Sequence, residues 1–239
     1  MNPKNTDPRP TVVQRLKWAL NEGLGTTLSR LRAIVYDYWF DWRYRIDTCA
    51  NTELDALKIE SGSKEHGRRY QPTRVLALRH MFRALKPLLP GDSVVVDYGS
   101  GRGRVLFVAA EFGFAMSRGI EFSSELCADA RRNAAKFYAR CARAGRMETI
   151  EADATQYEVK EDETLFFFAN PFGDPIFEKV VAQITASLQR HPRRIYVAYY
   201  NPNSAHIFEQ SGVFKFLPEF TVPGYNFRIY TNNNAPTGS

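Results

Sequence analysis

Cysteine is scarce in this chain, with three in 239 residues: Cys49, Cys127 and Cys141. They form no even-numbered disulfide framework and no zinc-type spacing, so a reducing, cytoplasmic setting without a bound metal is expected. Histidine is nearly as rare, at four: His66, His80, His191 and His206. No Ser-His-Asp order and no metal-ligating cluster stands out among them. No apolar run is long enough to span a bilayer, and Trp18-Ala19-Leu20 is far too short for the core of a signal peptide. There is no internal repeat of solenoid length. The net charge is +6 without a long Lys/Arg block. Such an excess can attract nucleic acid, an anionic surface or an acidic substrate, yet many enzymes are mildly basic.

The pattern along the chain divides it. Residues 1–69 read as a helical N-terminal extension and loop, a candidate substrate lid. Val12, Val13, Leu16 and Leu20 recur at helical spacing, and Gly23 and Gly25 interrupt. A second helix runs from about Thr26 to Tyr44 and becomes aromatic in Tyr36, Tyr38, Trp39, Phe40, Trp42 and Tyr44, as a core, a docking face or a wall of a pocket would. Residues 47–69 are polar and loop-like. Residues 70–232 alternate. A helix carries Val75, Leu78, Phe82 and Leu85. Strands are expected at Val94–Val96, Ser117–Phe122, Met147–Ile150, Leu165–Ala169 and Ile195–Tyr199. Helices are expected at Val105–Phe112, Glu125–Ala142 and Asp174–Arg190. Phe214–Phe220 and Asn226–Tyr230 read as an antiparallel pair, and residues 233–239 as a flexible tail. This alternation predicts an α/β fold with a mostly parallel, Rossmann-like sheet covered on both faces, whose ligands bind at the carboxyl ends of the strands.

The chemistry-bearing residues fall at those ends. Asp97-Tyr98-Gly99-Ser100-Gly101-Arg102-Gly103 follows an apolar strand and opens a helix. Its glycines let the backbone pass close to a ligand. The order is neither GxGxxG nor a P-loop with Lys-Ser/Thr, and the acid Asp97 suits a cationic ligand group better than a pyrophosphate. The second strand ends in Glu121-Phe122, where a carboxylate can accept both hydroxyls of a ribose. The third is followed by Asp153-Ala154, placed to accept a hydrogen bond from an adenine amino group. The bland alternatives are a tight connection for the glycines, a surface residue for Glu121 and a helix cap for Asp153. After the fourth strand, Asn170-Pro171-Phe172 offers a side-chain oxygen and a backbone carbonyl to a substrate N–H, or simply starts a turn. Asn201-Pro202, after the fifth strand, reads as a structural turn, with Asn201 lining the pocket as the alternative.

Together these residues resemble the class I S-adenosylmethionine-dependent methyltransferases over residues 70–230. The resemblance implies the seven-stranded sheet of that class with an antiparallel C-terminal hairpin. It also implies S-adenosylmethionine as cofactor and S-adenosylhomocysteine as product. Asp97, Gly99, Ser100, Gly101 and Gly103 would wrap the methionine part. Glu121 would hold the ribose, Phe122 would lie by the adenine, and Asp153 with Ala154 would meet its edge. His66 to Thr73 looks like the pre-motif of a bacterial branch, in which Tyr70 and Thr73 close over the cofactor. Asn170, Pro171 and Phe172 are similar to the Asn/Asp-Pro-Pro-Tyr/Phe signature of amino-methylating members, shortened by one Pro. The implied activity is N-methylation of a small molecule or peptide. A protein-lysine methyltransferase, loosely like the Rossmann-type histone-lysine enzymes, a nucleic-acid methyltransferase and a non-catalytic cofactor-binding subunit are the alternatives. Nucleic acid is not the favoured partner, no membrane partner is expected, and the N-terminal helices are candidates for self-association.

Overall fold

Three β-branched residues in succession, Val94-Val95-Val96, favour a strand with both faces covered, and they begin the central strand of the sheet. The computed structural model describes residues 24–49, 72–142 and 144–232. The expected first helix, the polar loop beyond Cys49, Tyr70 and His66, and the C-terminal tail lie outside them. All five residues of β1 (Val94–Tyr98) are buried. β1 pairs in parallel with β2 (Met116–Glu121) and with β4 (Glu163–Phe168). Outside these lie β3 (Arg146–Glu151) beside β2, and β5 (Tyr196–Tyr200) beside β4, both parallel. The order β3-β2-β1-β4-β5-β7-β6 is completed by β7 (Phe227–Asn232) and β6 (Phe214–Phe216), with β7 antiparallel to β5 and β6 antiparallel to β7. Strand order reverses between β1 and β4, and the crevice opens there.

The two-residue period of the strands sorts the core into two halves. Val95, Leu165, Phe167, Ala198 and Ile229 face α2 (Val75–Leu85) and α3 (Arg104–Glu111). Val96, Phe166, Phe168, Val197 and Tyr199 face α5 (Asp174–Arg190) and α6 (Ala205–Gln210). Phe166, Phe167 and Phe168 are each 0% exposed, and each contributes about 1.5–3 kcal/mol by burial. Between β2 and β3 runs α4 (Ser124–Tyr138), whose N-terminus is capped by the Ser123 side chain accepting from the Leu126 N–H.

Some boundaries differ from the sequence expectation. α4 stops at Tyr138, four residues short of Ala142, because the chain turns at Ala139 and Arg140. Cys141 therefore lies beyond the helix. β6 ends at Phe216 rather than Phe220, where a turn between Leu217 and Phe220 bends the chain away. The short α6 had no counterpart in the sequence pattern.

Ahead of the sheet, α1 (Leu24–Tyr44) packs on the same core rather than standing apart. It buries Ala33, Phe40 and Tyr44, with the Tyr44 ring 4.3 Å from that of Phe137 in α4. Two buried acids fasten it. Asp41 accepts the Thr48 N–H at 2.6 Å, the Cys49 N–H at 2.9 Å and the Thr48 hydroxyl at 2.7 Å. Asp37 accepts the Val75 N–H at 2.8 Å and Arg74 Nη1 at 2.8 Å. It thereby satisfies one of the free N–H groups that open α2 and places a negative charge where the helix dipole favours one.

Candidate active site

The loop after β1 is shaped by three glycines in the left-handed region, Gly99, Gly101 and Gly103, at φ 77, 52 and 87°. The Gly99 and Ser100 N–H groups both donate to the Ile120 carbonyl, at 2.8 and 3.1 Å. Glu121, at the end of β2, grips the same loop. Its Oε2 accepts the Gly101 N–H at 2.9 Å, and its Oε1 accepts the Ser123 N–H at 3.0 Å. Burial pushes the Glu121 carboxyl above its ordinary pKa, against the pull of these backbone N–H groups. Gly119 makes room for the arrangement, since a Cβ there would come within 2.5 Å of Ser100 Oγ.

Between this loop and the ends of β4 and β5 lies a cavity of about 590 Å³, within the range of about 300–1,000 Å³ usual for cofactor and ligand clefts. Asp97, Gly99, Ser100, Glu121 and Phe122 line one part of it, and Asn170, Pro171, Tyr200 and Asn201 another. Thr73 and Arg104 lie on the wall as well. Asp97 is 2% exposed, accepts no hydrogen bond from the described residues, and is held well above the usual carboxylate pKa by burial and by the neighbouring Glu121. The Ser100 hydroxyl is likewise buried without a partner among the described residues. An unpaired buried carboxyl and hydroxyl are costly, and they suit a ligand that brings a cation and hydrogen-bonding groups.

Other expected site residues stand elsewhere. Gly101 and Gly103 are off the cavity wall and shape the loop from behind. Asp153 turns its Oδ1 to the Thr155 N–H and hydroxyl, both at 2.8 Å, and caps the 3-10 turn Ala154–Gln156. Neither Asp153 nor Ala154 lines the cavity, and the cap is the physical reason for the Asp153 orientation. Phe172 is a core residue, 6% exposed, with its ring 5.2 Å from Phe177 and 6.5 Å from Phe168. Burial of the ring holds the turn down and takes Phe172 out of contact with a substrate.

Asn170 and Asn201 share an unusual geometry. Each precedes a proline and each has positive φ, 56 and 49°, a conformation that sequence-local sterics disfavour before proline. The Asn170 side chain is fixed by a relay through β5: the Ser204 N–H donates to Tyr199 Oη at 3.2 Å, and the Tyr199 hydroxyl donates to Asn170 Oδ1 at 3.2 Å.

Arg104, Asp37, Cys49 and Tyr200 on the cavity wall escaped the sequence reading, whereas Tyr38 belongs to the aromatic helix expected as a pocket wall, and Asn201, read first as structural, lines the cavity too. Arg104 is 2% exposed. Its Nε donates to Thr48 Oγ1 at 2.7 Å, Nη1 to the Thr73 carbonyl at 3.1 Å and Nη2 to Cys49 Sγ at 3.1 Å, with Asp37 3.5 Å away. These partners are distant in sequence, so no local spacing announces them. The one available signal was the repeat of Asn-Pro at two strand ends. Burial pushes the Cys49 thiol up to about 12, so it stays protonated at neutral pH and is no nucleophile.

The family model for histone methylation protein DOT1 matches residues 71–170, from Gln71 through the glycine loop to Asn170. No curated protein matches the chain. Among solved structures, an RNA methyltransferase from Salinibacter ruber in complex with S-adenosyl-L-homocysteine is similar at 17% identity, over 71% of this chain and 97% of that one, with a TM-score of 0.45. An rRNA methylase from Streptococcus thermophilus is similar at 16% identity, over 68% and 98%, with a TM-score of 0.45. A TehB-like S-adenosylmethionine-dependent methyltransferase from Corynebacterium glutamicum is similar at 16% identity, over 64% and 86%, also at 0.45. The strand order is that of the Rossmann-like class I methyltransferase fold, and the matched model spans its first half, from Gln71 to Asn170. The unpaired Asp97 and Ser100 beside a glycine-lined cavity fit S-adenosylmethionine as the ligand.

Proposed function

We propose that this chain is an S-adenosylmethionine-dependent methyltransferase that acts on a nitrogen of a peptide or small-molecule acceptor, with Asn170 as the residue that orients it. The observation that carries this reading is the relay from Ser204 through Tyr199 to Asn170 Oδ1 at the cavity wall. The relay sets which end of the amide is the oxygen. It occupies one lone pair of that oxygen and leaves the other for an acceptor N–H.

S-adenosylmethionine supplies a methyl group already activated by its sulfonium, so the protein's work is alignment and exclusion of water. Asp97 would receive the cationic end of the cofactor, Ser100 and Thr73 would hydrogen-bond its polar groups, Glu121 would take the ribose hydroxyls and Phe122 would lie against the adenine. Pro171 shares the wall with Asn170 and seats the turn against the glycine loop. Among the described residues no histidine lines the cavity, which favours an acceptor nitrogen that needs no strong base.

A second reading, methylation of a lysine side chain on a protein, is favoured by the likeness of residues 71–170 to the model for histone methylation protein DOT1. Methyl-labelled S-adenosylmethionine offered with amine, amide, phenol and thiol acceptors, and with lysine-containing peptides, tests both. Labelled N-methyl product, lost in Asn170→Ala, is expected. Methyl transfer confined to oxygen or sulfur acceptors overturns the proposal.

A further inference from the structure

The outward side of α1 is apolar. Leu28, Leu31, Val35, Tyr38 and Trp42 are 69, 54, 66, 62 and 74% exposed, with Trp39 beside them at 43%. Steps of three and four residues put them on one stripe of the helix, opposite the buried Ala33, Asp37, Phe40 and Tyr44. At 1.5 Å per residue the stripe from Leu28 to Trp42 is about 21 Å long. Scattered surface hydrophobics need no partner, but a contiguous face of six does.

The charges on the helix say what that partner is. Its only acids, Asp37 and Asp41, are both buried, whereas Arg30, Arg32 and Arg43 are exposed. At 100° per residue, Arg32 and Arg43 border the stripe next to Trp39. A second copy of this chain would set arginine against arginine across the contact, with no acid on either side. A nucleic acid would engage the arginines and leave Leu28, Leu31 and Val35 in water. A surface of anionic lipid satisfies both groups. Its acyl boundary takes the aliphatic side chains, its headgroup layer suits Trp and Tyr, and its phosphates attract the arginines.

We propose that α1 lies in the headgroup layer of an anionic phospholipid bilayer. Ile34 and Tyr38 of the same helix also line the active-site cavity, so the seated helix brings the rim of the cavity to the lipid. The contact is with the surface: among the described residues no helix is long and apolar enough to cross a membrane. The sequence expectation of no membrane partner rested on the lack of a spanning segment, and the stripe becomes visible only once the docked face of α1 is known. The inference is independent of the acceptor atom, since it is read out without methyl transfer.

The test is sedimentation of the full chain with vesicles of pure phosphatidylcholine and of equal parts phosphatidylcholine and phosphatidylglycerol. Partition onto the phosphatidylglycerol vesicles, weakened by added salt, is expected. Arg32→Gln with Arg43→Gln should lower it roughly twenty-five-fold, because each cation near such a surface counts for roughly a factor of five. Leu31→Ser with Trp42→Ser should abolish it. In both variants, unchanged binding of S-adenosylhomocysteine in calorimetry establishes that the fold is intact. The proposal is overturned if the full chain ignores phosphatidylglycerol vesicles, if either variant binds them as well as the parent, or if Leu31→Ser instead dissolves a dimer seen in sedimentation.

Discussion

Gly99 and Pro171 meet across the switch point of the sheet: a Cβ on Gly99 would lie 2.7 Å from the Cβ of Pro171. The loop that follows β1 and the turn that follows β4 are thus in contact, and the missing side chain is what lets them close. Alanine at a φ of 77° costs about 1–2 kcal/mol by itself, and the contact with Pro171 forces one of the two segments to move. Gly99→Ala is therefore expected to lower S-adenosylhomocysteine affinity by at least about tenfold. Titration calorimetry measures this, and an affinity equal to that of the parent would remove the contact from the cofactor site.

Asp97 should make cofactor binding depend on pH. Burial and Glu121 raise its pKa, so the unliganded protein is most stable with Asp97 protonated and loses that contribution as pH rises through the raised value. A cationic ligand group favours the ionised form. S-adenosylmethionine affinity should therefore increase with pH across the Asp97 titration, with a proton released on binding. Asp97→Asn should flatten that profile, stabilise the unliganded chain near neutrality and weaken binding about thirtyfold, as loss of one partner of a buried charge pair does. A profile that keeps its slope in Asp97→Asn would assign the titration to another group.

The relay to Asn170 can be cut without opening a hole. Tyr199 is 0% exposed and stacks on Phe177 at 5.0 Å, and phenylalanine keeps that packing. Tyr199→Phe should leave cofactor affinity and KM for the cofactor unchanged while kcat falls about tenfold. Asn170→Ala should cost about a hundredfold, the scale of losing one well-placed polar group in a dry site. Equal kcat in Tyr199→Phe and parent would reduce the relay to packing.

How much of this was legible beforehand depended on distance along the chain. Asp174–Arg190 forms a helix at the bounds expected from sequence, because Gly173 and Pro175 mark its start locally. Glu121 was recognised as a strand-end acid, but its hold on the Gly101 N–H, twenty residues away, is a tertiary fact. Asp153 shows the limit of reading strand ends alike: an acid two residues before a threonine can serve its own turn, and here it does. Phe172 resembled part of a motif, yet an aromatic ring next to Phe177 is better buried than offered to a ligand. The fastening of α1 was hidden altogether, since Arg104 hydrogen-bonds to partners 31 to 56 residues away and pairs with Asp37, farther still along the chain.

Arg104→Met should expose that fastening. Breaking a buried ionic and hydrogen-bonded cluster by removing one member costs about 3 kcal/mol, which for a chain of this size lowers the melting temperature by roughly 6–12 °C. Amide exchange should accelerate first in α1 and around Thr48, ahead of the sheet. A uniform rise in exchange across the whole chain would show that α1 does not open separately.

That guanidinium has one more consequence. Arg104 directly follows the last glycine of the loop after β1, and through Thr48, Cys49 and Asp37 it holds the leading helix. The end of the glycine loop and the mooring of the aromatic helix are therefore joined through the same few atoms, so a displacement at one end of this linkage is delivered to the other without crossing the sheet.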